Sequence, residues 1–232
     1  MSNSELLTVI ITASLIPSHP SIKIIQKTIE SLQIINIPGN TKIILAHDYS
    51  NNDNYIEYFE KLNNYIKPFT NIEIVKRDTH GHLVGNIRNA LKYVTSKFIL
   101  LIQHDLFFIT KFDIQKVICD MEENINIKYI RFNKRKNIKK GWDGRNNLFG
   151  LQQKQKHYTY TRTPCWSDNN HLCLTTYYTD IIMKESKDGF AMEHTIHGKI
   201  KNQETHNKYG TYLFGKLNYQ QVIDHSDGRN TK

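Results

Sequence analysis

One apolar stretch constrains the fold more than any other part of the sequence. It runs from Lys97 to Phe108 and is interrupted only by Gln103-His104-Asp105. A short run of this composition is typical of a strand that is buried on both faces of a parallel sheet. Asp105 then lies at the carboxyl end of that strand, where ligands bind in open α/β sheets. Because a carboxylate among apolar neighbours is costly unless it is hydrogen-bonded or binds a cation, we expect Asp105 to hold a divalent metal that in turn holds a diphosphate.

The first 105 residues alternate between strand and helix patterns. Three further apolar runs predict strands, at Leu6–Ser14, Thr41–Ala46 and Ile72–Lys76. Apolar residues recur at helical spacing in the intervening segments, at 22–35, 55–66 and 83–94. This order predicts an α/β fold with a mostly parallel central sheet, right-handed crossovers and flanking helices.

The remaining 127 residues are less regular, with a helical pattern over 113–123 and a strand pattern over 127–132. No repeat and no low-complexity linker separates the two halves. The length of 232 residues suits one sizeable core, so we expect a single domain over 1–232.

The net charge of +9 favours anionic partners, which include nucleic acid, a membrane surface and phosphorylated small molecules. Abundant lysine alone would give the same excess. The three cysteines are odd in number and widely spaced, which argues against a disulfide framework and fits a reducing compartment. The sequence has no signal-peptide pattern and no apolar run of the roughly 20 residues that a membrane span needs. We therefore expect a cytoplasmic protein without an integral membrane segment.

Polar residues follow three of the predicted strands, at Thr12–Ser14, His47-Asp48 and His104-Asp105. Parallel strands end at one edge of a sheet, so these residues are expected to line one cleft. Arg77 and Arg88, with a helix that begins near Gly81, would suit a phosphate group there. Turn formation and helix capping are the alternative roles, above all for Asp48.

The order of these motifs resembles a glycosyltransferase of the GT-A fold, similar to family 2. Such enzymes have a first strand that ends in Thr or Ser and a V-D-D-x-S-x-D-like segment after the second strand, where this chain has Ala46–Asn52. The segment Gly81–Leu91 resembles their G-G-x-x-x-A-R-N-x-G stretch, and Phe98–Asp105 resembles the strand that carries their D-x-D motif. The resemblance covers about residues 6–110.

Two positions depart from the family pattern. The D-x-D motif reads Gln103-His104-Asp105, so its first acid is missing, and His47 replaces the first acid of the V-D-D segment. The resemblance implies that Asp105 contacts a Mn²⁺ or Mg²⁺ ion, which His104 could assist, and that Asp48 contacts the nucleotide. Thr12, Arg77 and Arg88 are assigned to the nucleotide-sugar side, and a histidine near the C-terminus, here His225, is expected to reach back to the metal.

An inverting transfer also needs a general base to deprotonate the acceptor hydroxyl. Glu193 stands at a position similar to the x-E-D motif of the family, and Asp168 is the alternative. An exposed helix acid and a helix-capping role are the structural alternatives for Glu193 and Asp168, respectively. Four aromatic residues could form a wall that stacks on the acceptor sugar, or belong to the core, namely Trp142, Trp166, Tyr177 and Tyr178.

Together these features predict a metal-dependent, inverting glycosyltransferase that uses a UDP-, GDP- or dTDP-sugar. Residues 1–110 are expected to bind the donor, and residues 111–232 a glycan, lipid or protein acceptor. The alternatives are a basic nucleic-acid-binding or nucleotidyl-transferring protein, and a GT-A-like protein without catalysis. No helix-turn-helix, zinc-finger or RNP-type pattern occurs, so we do not expect a nucleic-acid partner.

Overall fold

The first half of the chain forms four parallel strands in the computed structural model, which describes residues 6–226. The strands are β1 (Leu7–Ala13), β2 (Lys42–His47), β3 (Ile72–Lys76) and β4 (Phe98–Gln103). They are connected by α1 (Lys23–Ser31), which a 3-10 turn at Leu32–Ile35 extends, α2 (Asp53–Ile66) and α3 (His82–Leu91). β1 lies between β2 and β4, with Ala13 opposite His47 and Thr12 opposite Gln103. The predicted alternation of strands and helices is confirmed.

The second half has shorter elements. Its strands are β5 (Leu106–Phe108), β6 (Tyr129–Arg131), β7 (Gln152–Lys154), β8 (Thr159–Arg162), β9 (His171–Leu174), β10 (Thr211–Phe214) and β11 (Ile223–His225). Its helices are α4 (Ile114–Glu123), α5 (Thr175–Tyr177), α6 (Met183–Glu185), α7 (Met192–Ile196) and α8 (Gln203–Tyr209). A 3-10 turn at Gly141–Gly144 and a π turn at Tyr178–Ile182 complete this half.

Nine of these strands form one sheet in the order β3-β2-β1-β4-β9-β6-β10-β8-β7. β8 and β9 run opposite to the other seven strands. The sheet is therefore mostly parallel, as predicted, and it continues from the first half of the chain into the second. None of the helices within residues 6–226 is long and apolar enough to cross a membrane.

The sheet is buried on both faces along β1 and β4. In β4, Phe98, Leu100 and Ile102 pack in one apolar cluster, whereas Ile99 and Leu101 pack in the other. Full burial of one such side chain contributes about 1.5–3 kcal/mol, so an apolar residue is favoured at every position of the strand. This double burial explains why the run lacks the alternation of an exposed strand.

The apolar stretch from Lys97 to Phe108 is two strands rather than one. β4 ends at Gln103, the chain turns at His104-Asp105, and β5 pairs with β11 in a separate two-stranded sheet. Buried Asn170 stabilises the turn, because its Oδ1 accepts from the Gln103 amide at 3.1 Å and its Nδ2 donates to the Leu106 carbonyl at 2.8 Å.

Candidate active site

A cleft of about 810 Å³ lies where β1, β2 and β4 end. Of the predicted site residues, five line it: Thr12, Asp48, His104, Asp105 and Asp168. Within the described part of the chain, no lysine or arginine lines this cleft. The cleft thus has three carboxyl groups, and a bound diphosphate would need positive charge from another source.

Asp48 is buried and its carboxylate is already hydrogen-bonded. Its Oδ1 accepts from the backbone amides of Tyr49 and Gly81, each at 2.9 Å, and its Oδ2 lies 2.9 Å from Nδ1 of His80. Asp48 therefore fastens the loop between β3 and α3 to the end of β2. This geometry makes Asp48 a residue that shapes one wall of the cleft.

Arg77 stabilises the same loop through hydrogen bonds to backbone carbonyls. Its Nε donates to the Thr79 carbonyl at 3.1 Å and its Nη1 donates to the Gly85 carbonyl at 2.6 Å. A Cβ atom at Gly81 would lie 2.5 Å from Cζ of Arg77, so a side chain there would displace the guanidinium from these carbonyls. Arg77 lines an adjoining cavity of about 460 Å³ rather than the main cleft, and its predicted role toward the diphosphate stays a prediction.

Arg88 is also directed away from the cleft. Its guanidinium donates to the carbonyl of Ser186 at 3.3 Å and lies 3.3 Å from Oδ1 of Asp188. Arg88 therefore joins α3 to the segment after α6. Arg88 does not line the cleft, and its predicted place on the nucleotide-sugar side stays a prediction.

Asp105 and His225 lie side by side. Nε2 of His225 is 3.2 Å from Oδ2 of Asp105, and the Ser226 amide donates to the Asp105 carbonyl at 2.8 Å. The pairing of β11 with β5 produces this contact between residues 120 positions apart. Oδ1 of Asp105 is buried and has no hydrogen-bond partner among residues 6–226.

His104 is buried next to Asp105. Its Nδ1 lies 3.1 Å from the Thr12 carbonyl oxygen, which identifies Nδ1 as the protonated nitrogen. Burial lowers the pKa of His104, so the ring is neutral and Nε2 carries a lone pair. That Nε2 has no partner.

The two candidate bases form one acid pair. Oε1 of Glu193 accepts hydrogen bonds from the Ser167 hydroxyl and, at 3.1 Å, from the Asp168 amide. Burial and the neighbouring Glu193 raise the pKa of Asp168 to about 7. Burial alone would raise the pKa of Glu193, but the hydrogen bonds from Ser167 and Asp168 outweigh it and lower that pKa. Glu193 thus remains ionised while Asp168 holds a proton near neutral pH.

A further cavity of about 740 Å³, which we call the second cavity, adjoins the cleft on another side. Gln103 and Asp168 line both the cleft and this second cavity. Glu193, His197 and Trp142 line the second cavity alone. Trp142 is 40% exposed, which is consistent with the predicted aromatic wall. The other three aromatic residues of that prediction are core residues, namely Trp166, Tyr177 and Tyr178.

The family model described as "Glycosyl transferase family 2" matches residues 14–180, which is more than half of the chain. The chain belongs to glycosyl transferase family 2. The resemblance seen in the motif order is therefore confirmed. No curated protein sequence matches the chain significantly.

Solved structures show the same fold at low sequence identity. S. aureus TarS 1–349 is 14% identical with a TM-score of 0.57, and the alignment covers 95% of this chain and 60% of that chain. GalNAc-T7 with UDP, GalNAc and Mn²⁺ is 11% identical with a TM-score of 0.63, over 95% of this chain and 45% of that chain. TarS 1–349 in complex with UDP-GlcNAc is 14% identical with a TM-score of 0.57, over 94% of this chain and 58% of that chain. These likenesses establish the GT-A fold, and this chain spans at most about 60% of the length of these proteins.

The donor atoms at Asp105 fit the divalent ion that glycosyl transferase family 2 implies. The unpartnered Oδ1 of Asp105 is an oxygen ligand of the kind that Mn²⁺ and Mg²⁺ prefer, and the adjacent imidazole of His225 suits Mn²⁺. Within residues 6–226 there is no group of three or more His, Cys, Asp or Glu side chains that could hold a metal. The remaining ligands would therefore come from the diphosphate and water.

The sequence did not predict the roles of three site residues of this family 2 member. Gln103 donates from Nε2 to the Asp168 carbonyl at 3.1 Å, Ser167 positions Glu193, and His80 contacts Asp48. The polar run Ser167–Asn170 just before a strand was the available signal for Ser167. Nothing in the local sequence of His80 marks it as a partner of Asp48.

Proposed function

We propose that this chain transfers a sugar from a nucleoside diphosphate sugar to an acceptor hydroxyl, with inversion at the sugar carbon. One observation carries the proposal. Asp168 lines both the cleft at the strand ends and the second cavity, so it lies where the two meet. A residue at that junction can contact a donor in one cavity and an acceptor in the other.

The donor is assigned to the cleft between Thr12, Asp48 and Asp105. The structures of TarS with UDP-GlcNAc and of GalNAc-T7 with UDP favour a uridine nucleotide. GDP- and dTDP-sugars remain alternatives. Donor binding then falls mainly on residues 1–110 and acceptor binding on 111–232, although Asp168 and His225 come from the second half.

The acid pair supplies the base. In its ionised form Asp168 removes the proton of the acceptor hydroxyl. The hydroxyl oxygen forms a bond to C1 of the donor sugar, and the bond from C1 to the diphosphate oxygen breaks. The proton remains on Asp168 and the nucleoside diphosphate leaves. Glu193 positions Asp168 through the 3.1 Å hydrogen bond from its backbone amide, which makes Asp168 a better base candidate than Glu193.

The charges of the cleft support the proposed metal dependence. Its lining contains Asp48, Asp105 and Asp168, and no lysine or arginine among the described residues. A diphosphate would meet net repulsion there at neutral pH. A divalent ion held by Asp105 and His225 would neutralise the charge that develops on the leaving diphosphate.

A thermal-shift screen tests the proposal. The purified chain is heated with UDP, GDP, CDP or dTDP, each with and without Mn²⁺. A ligand at 100 times its dissociation constant adds about 2.7 kcal/mol to the stability of the folded state, which is easily detected. We expect a shift with UDP that requires Mn²⁺. If none of the four nucleotides raises the melting temperature, with or without Mn²⁺, the proposal is refuted and a GT-A-like protein that does not bind donor is favoured.

A further inference from the structure

The net positive charge of the chain is concentrated in one segment, 134–145, which we call the cationic segment. It contains one acid, Asp143, and six cations, namely Lys134, Arg135, Lys136, Lys139, Lys140 and Arg145. Asp143 is buried, where it pairs with Arg131 and Arg135. Within residues 6–226, Arg135 is the one cation of the segment that forms an ion pair. The lysines therefore present uncompensated charge to the surroundings.

The segment is held in place by a buried asparagine. Nδ2 of Asn137 donates to the carbonyls of Phe214 and Gly215, at 2.8 and 3.3 Å. Its backbone amide donates to the Tyr219 carbonyl at 3.1 Å, and its carbonyl accepts from the Asn218 amide at 2.9 Å. The lysines on either side of Asn137 consequently extend from a fixed backbone. A prearranged charged surface loses less conformational entropy when it binds a partner.

Large apolar side chains are exposed among these cations. Ile138 is 37% exposed, and Trp142 is 40% exposed. Arg145 stacks on the indole of Trp142, with Cζ 3.3 Å from the ring centroid, and His197 packs against it at 4.4 Å. An indole with an apolar body and a polar edge suits the interface of a bilayer, and the neighbouring lysines would supply attraction to anionic headgroups. An isoleucine adds nothing to the electrostatic attraction of a soluble polyanion, whereas it gains apolar contact at a bilayer.

The cationic segment also borders the cavity assigned to the acceptor. Lys134, Arg135 and Trp142 line that cavity together with Asp168 and Glu193. A surface that docked on the segment would therefore bring an attached hydroxyl close to the acid pair.

We propose that the cationic segment docks on an anionic lipid surface, with Ile138 and Trp142 entering the interface, so that the enzyme acts on an acceptor held at that surface. The argument for docking uses the cationic segment alone, whereas the statement about the acceptor rests on the function proposed above. The attraction comes from the lysines, each worth roughly fivefold in binding to an anionic membrane surface. The two apolar side chains give preference for a bilayer over a soluble polyanion.

Vesicle binding measures this directly, without donor or turnover. The whole chain is mixed with vesicles of phosphatidylcholine alone or of phosphatidylcholine with phosphatidylglycerol, and bound protein is separated by flotation. We expect binding to the anionic vesicles only, weakened by salt. The triple variant Lys136→Gln, Lys139→Gln, Lys140→Gln should bind roughly a hundredfold more weakly. The matched control neutralises three exposed lysines outside the segment, Lys67, Lys92 and Lys116, and should bind as the parent does.

The two tryptophans provide a second measurement. Trp166 is fully buried and Trp142 is exposed, so acyl chains that carry bromine should quench Trp142 selectively. We expect quenching in anionic vesicles that disappears in the Trp142→Phe variant. The proposal would be overturned if the chain does not bind vesicles, or if the two triple variants bind equally well. It would also be overturned if the chain binds vesicles without quenching of Trp142 and binds sulfated polysaccharide or DNA equally tightly. A retained thermal shift with UDP and Mn²⁺ in the same preparation would leave the transferase function standing.

Discussion

The backbone amide of Asp168 donates a 3.1 Å hydrogen bond to Oε1 of Glu193, so two carboxyl groups share one partly buried site. Glu193 remains the ionised member because Ser167 also donates to it. Burial, together with the negative charge of Glu193, raises the pKa of Asp168 to about 7. The pair is thus arranged so that one carboxyl can exchange a proton while the other positions it.

Loss of the base should separate donor binding from transfer. We expect Asp168→Asn to retain the thermal shift with nucleotide and Mn²⁺ but to transfer sugar at least about a hundredfold more slowly, as is typical when a general base is removed. Sugar release from a radiolabelled donor in the presence of an acceptor measures the rate. The exposed carboxyl of Asp180 provides the matched control, and Asp180→Asn should behave as the parent does.

Glu193→Gln distinguishes the two acids. Because Glu193 raises the pKa of Asp168, its neutralisation should lower that pKa and leave part of the activity. If Glu193→Gln abolishes transfer and Asp168→Asn retains it, Glu193 is the base and our assignment is reversed.

The pH dependence of transfer should report the acid pair. Asp168 acts as a base only when it is ionised, and its pKa is raised to about 7. We therefore expect the transfer rate at saturating donor to rise as the pH increases through about 7 and then to level off. The apparent pKa belongs to the pair, so it should fall in Glu193→Gln. A rate that is flat between pH 6 and pH 8, about one unit either side of the ionisation, would contradict the role of Asp168.

Asp105→Asn should remove the effect of metal on donor binding. The substitution preserves the size of the side chain but removes the charge that would hold a cation, so the shift that Mn²⁺ adds to UDP should vanish. The melting temperature without ligand should change little, because asparagine keeps a side-chain oxygen that can accept from Nε2 of His225, the one side-chain contact of Asp105 among residues 6–226. Isothermal titration calorimetry with UDP and Mn²⁺ gives the affinity. His225→Ala should weaken it less, and a metal effect that survives in Asp105→Asn would exclude this metal site.

Gly81 should be intolerant of a side chain because Arg77 packs against it. Gly81→Ala is expected to lower the free energy of unfolding by about 1–3 kcal/mol through overpacking. Gly39 provides the control, because no atom lies within 4 Å of a Cβ atom there. In the double variant Arg77→Ala, Gly81→Ala the crowding is relieved, so the two losses should not add. Additive losses in urea unfolding would show that Arg77 is not the cause.

Acid should destabilise the protein through its buried histidines. Burial lowers the pKa of His19 and of His171 to about 4, from 6.5 in the unfolded chain. Between these pH values the unfolded chain binds more protons, so stability falls with decreasing pH by about 1.4 kcal/mol per pH unit for each group. Asp168 has the opposite effect on stability. Its pKa is raised in the folded chain, so the folded chain binds a proton at a higher pH than the unfolded chain does. Urea unfolding between pH 7 and pH 4 tests the prediction, with His171→Gln expected to reduce the slope and the exposed His157→Gln to leave it unchanged.

The local sequence determined the architecture of the first half and the edge on which the site lies. Periodicity along the chain is enough to identify β1, β2, β3 and β4, since burial on one or two faces determines which side chains are stable at each position. Asp48 and Asp105 could be placed at one edge for the same reason, because parallel strands all end on the same side. The sequence also identified both members of the acid pair, Glu193 and Asp168, but only as alternative candidates for the general base.

Only the tertiary structure decided how these side chains are used. Arg77 and Arg88 are directed to backbone carbonyls, Asp48 is satisfied by the Gly81 amide, and Asp168 meets Glu193. The contact of His225 with Asp105 depends on β11 pairing with β5 across the whole second half of the chain. Each of these outcomes depends on hydrogen-bond partners and burial that distant segments provide. A carboxylate or a guanidinium in a sequence has no fixed partner until the folded chain supplies one.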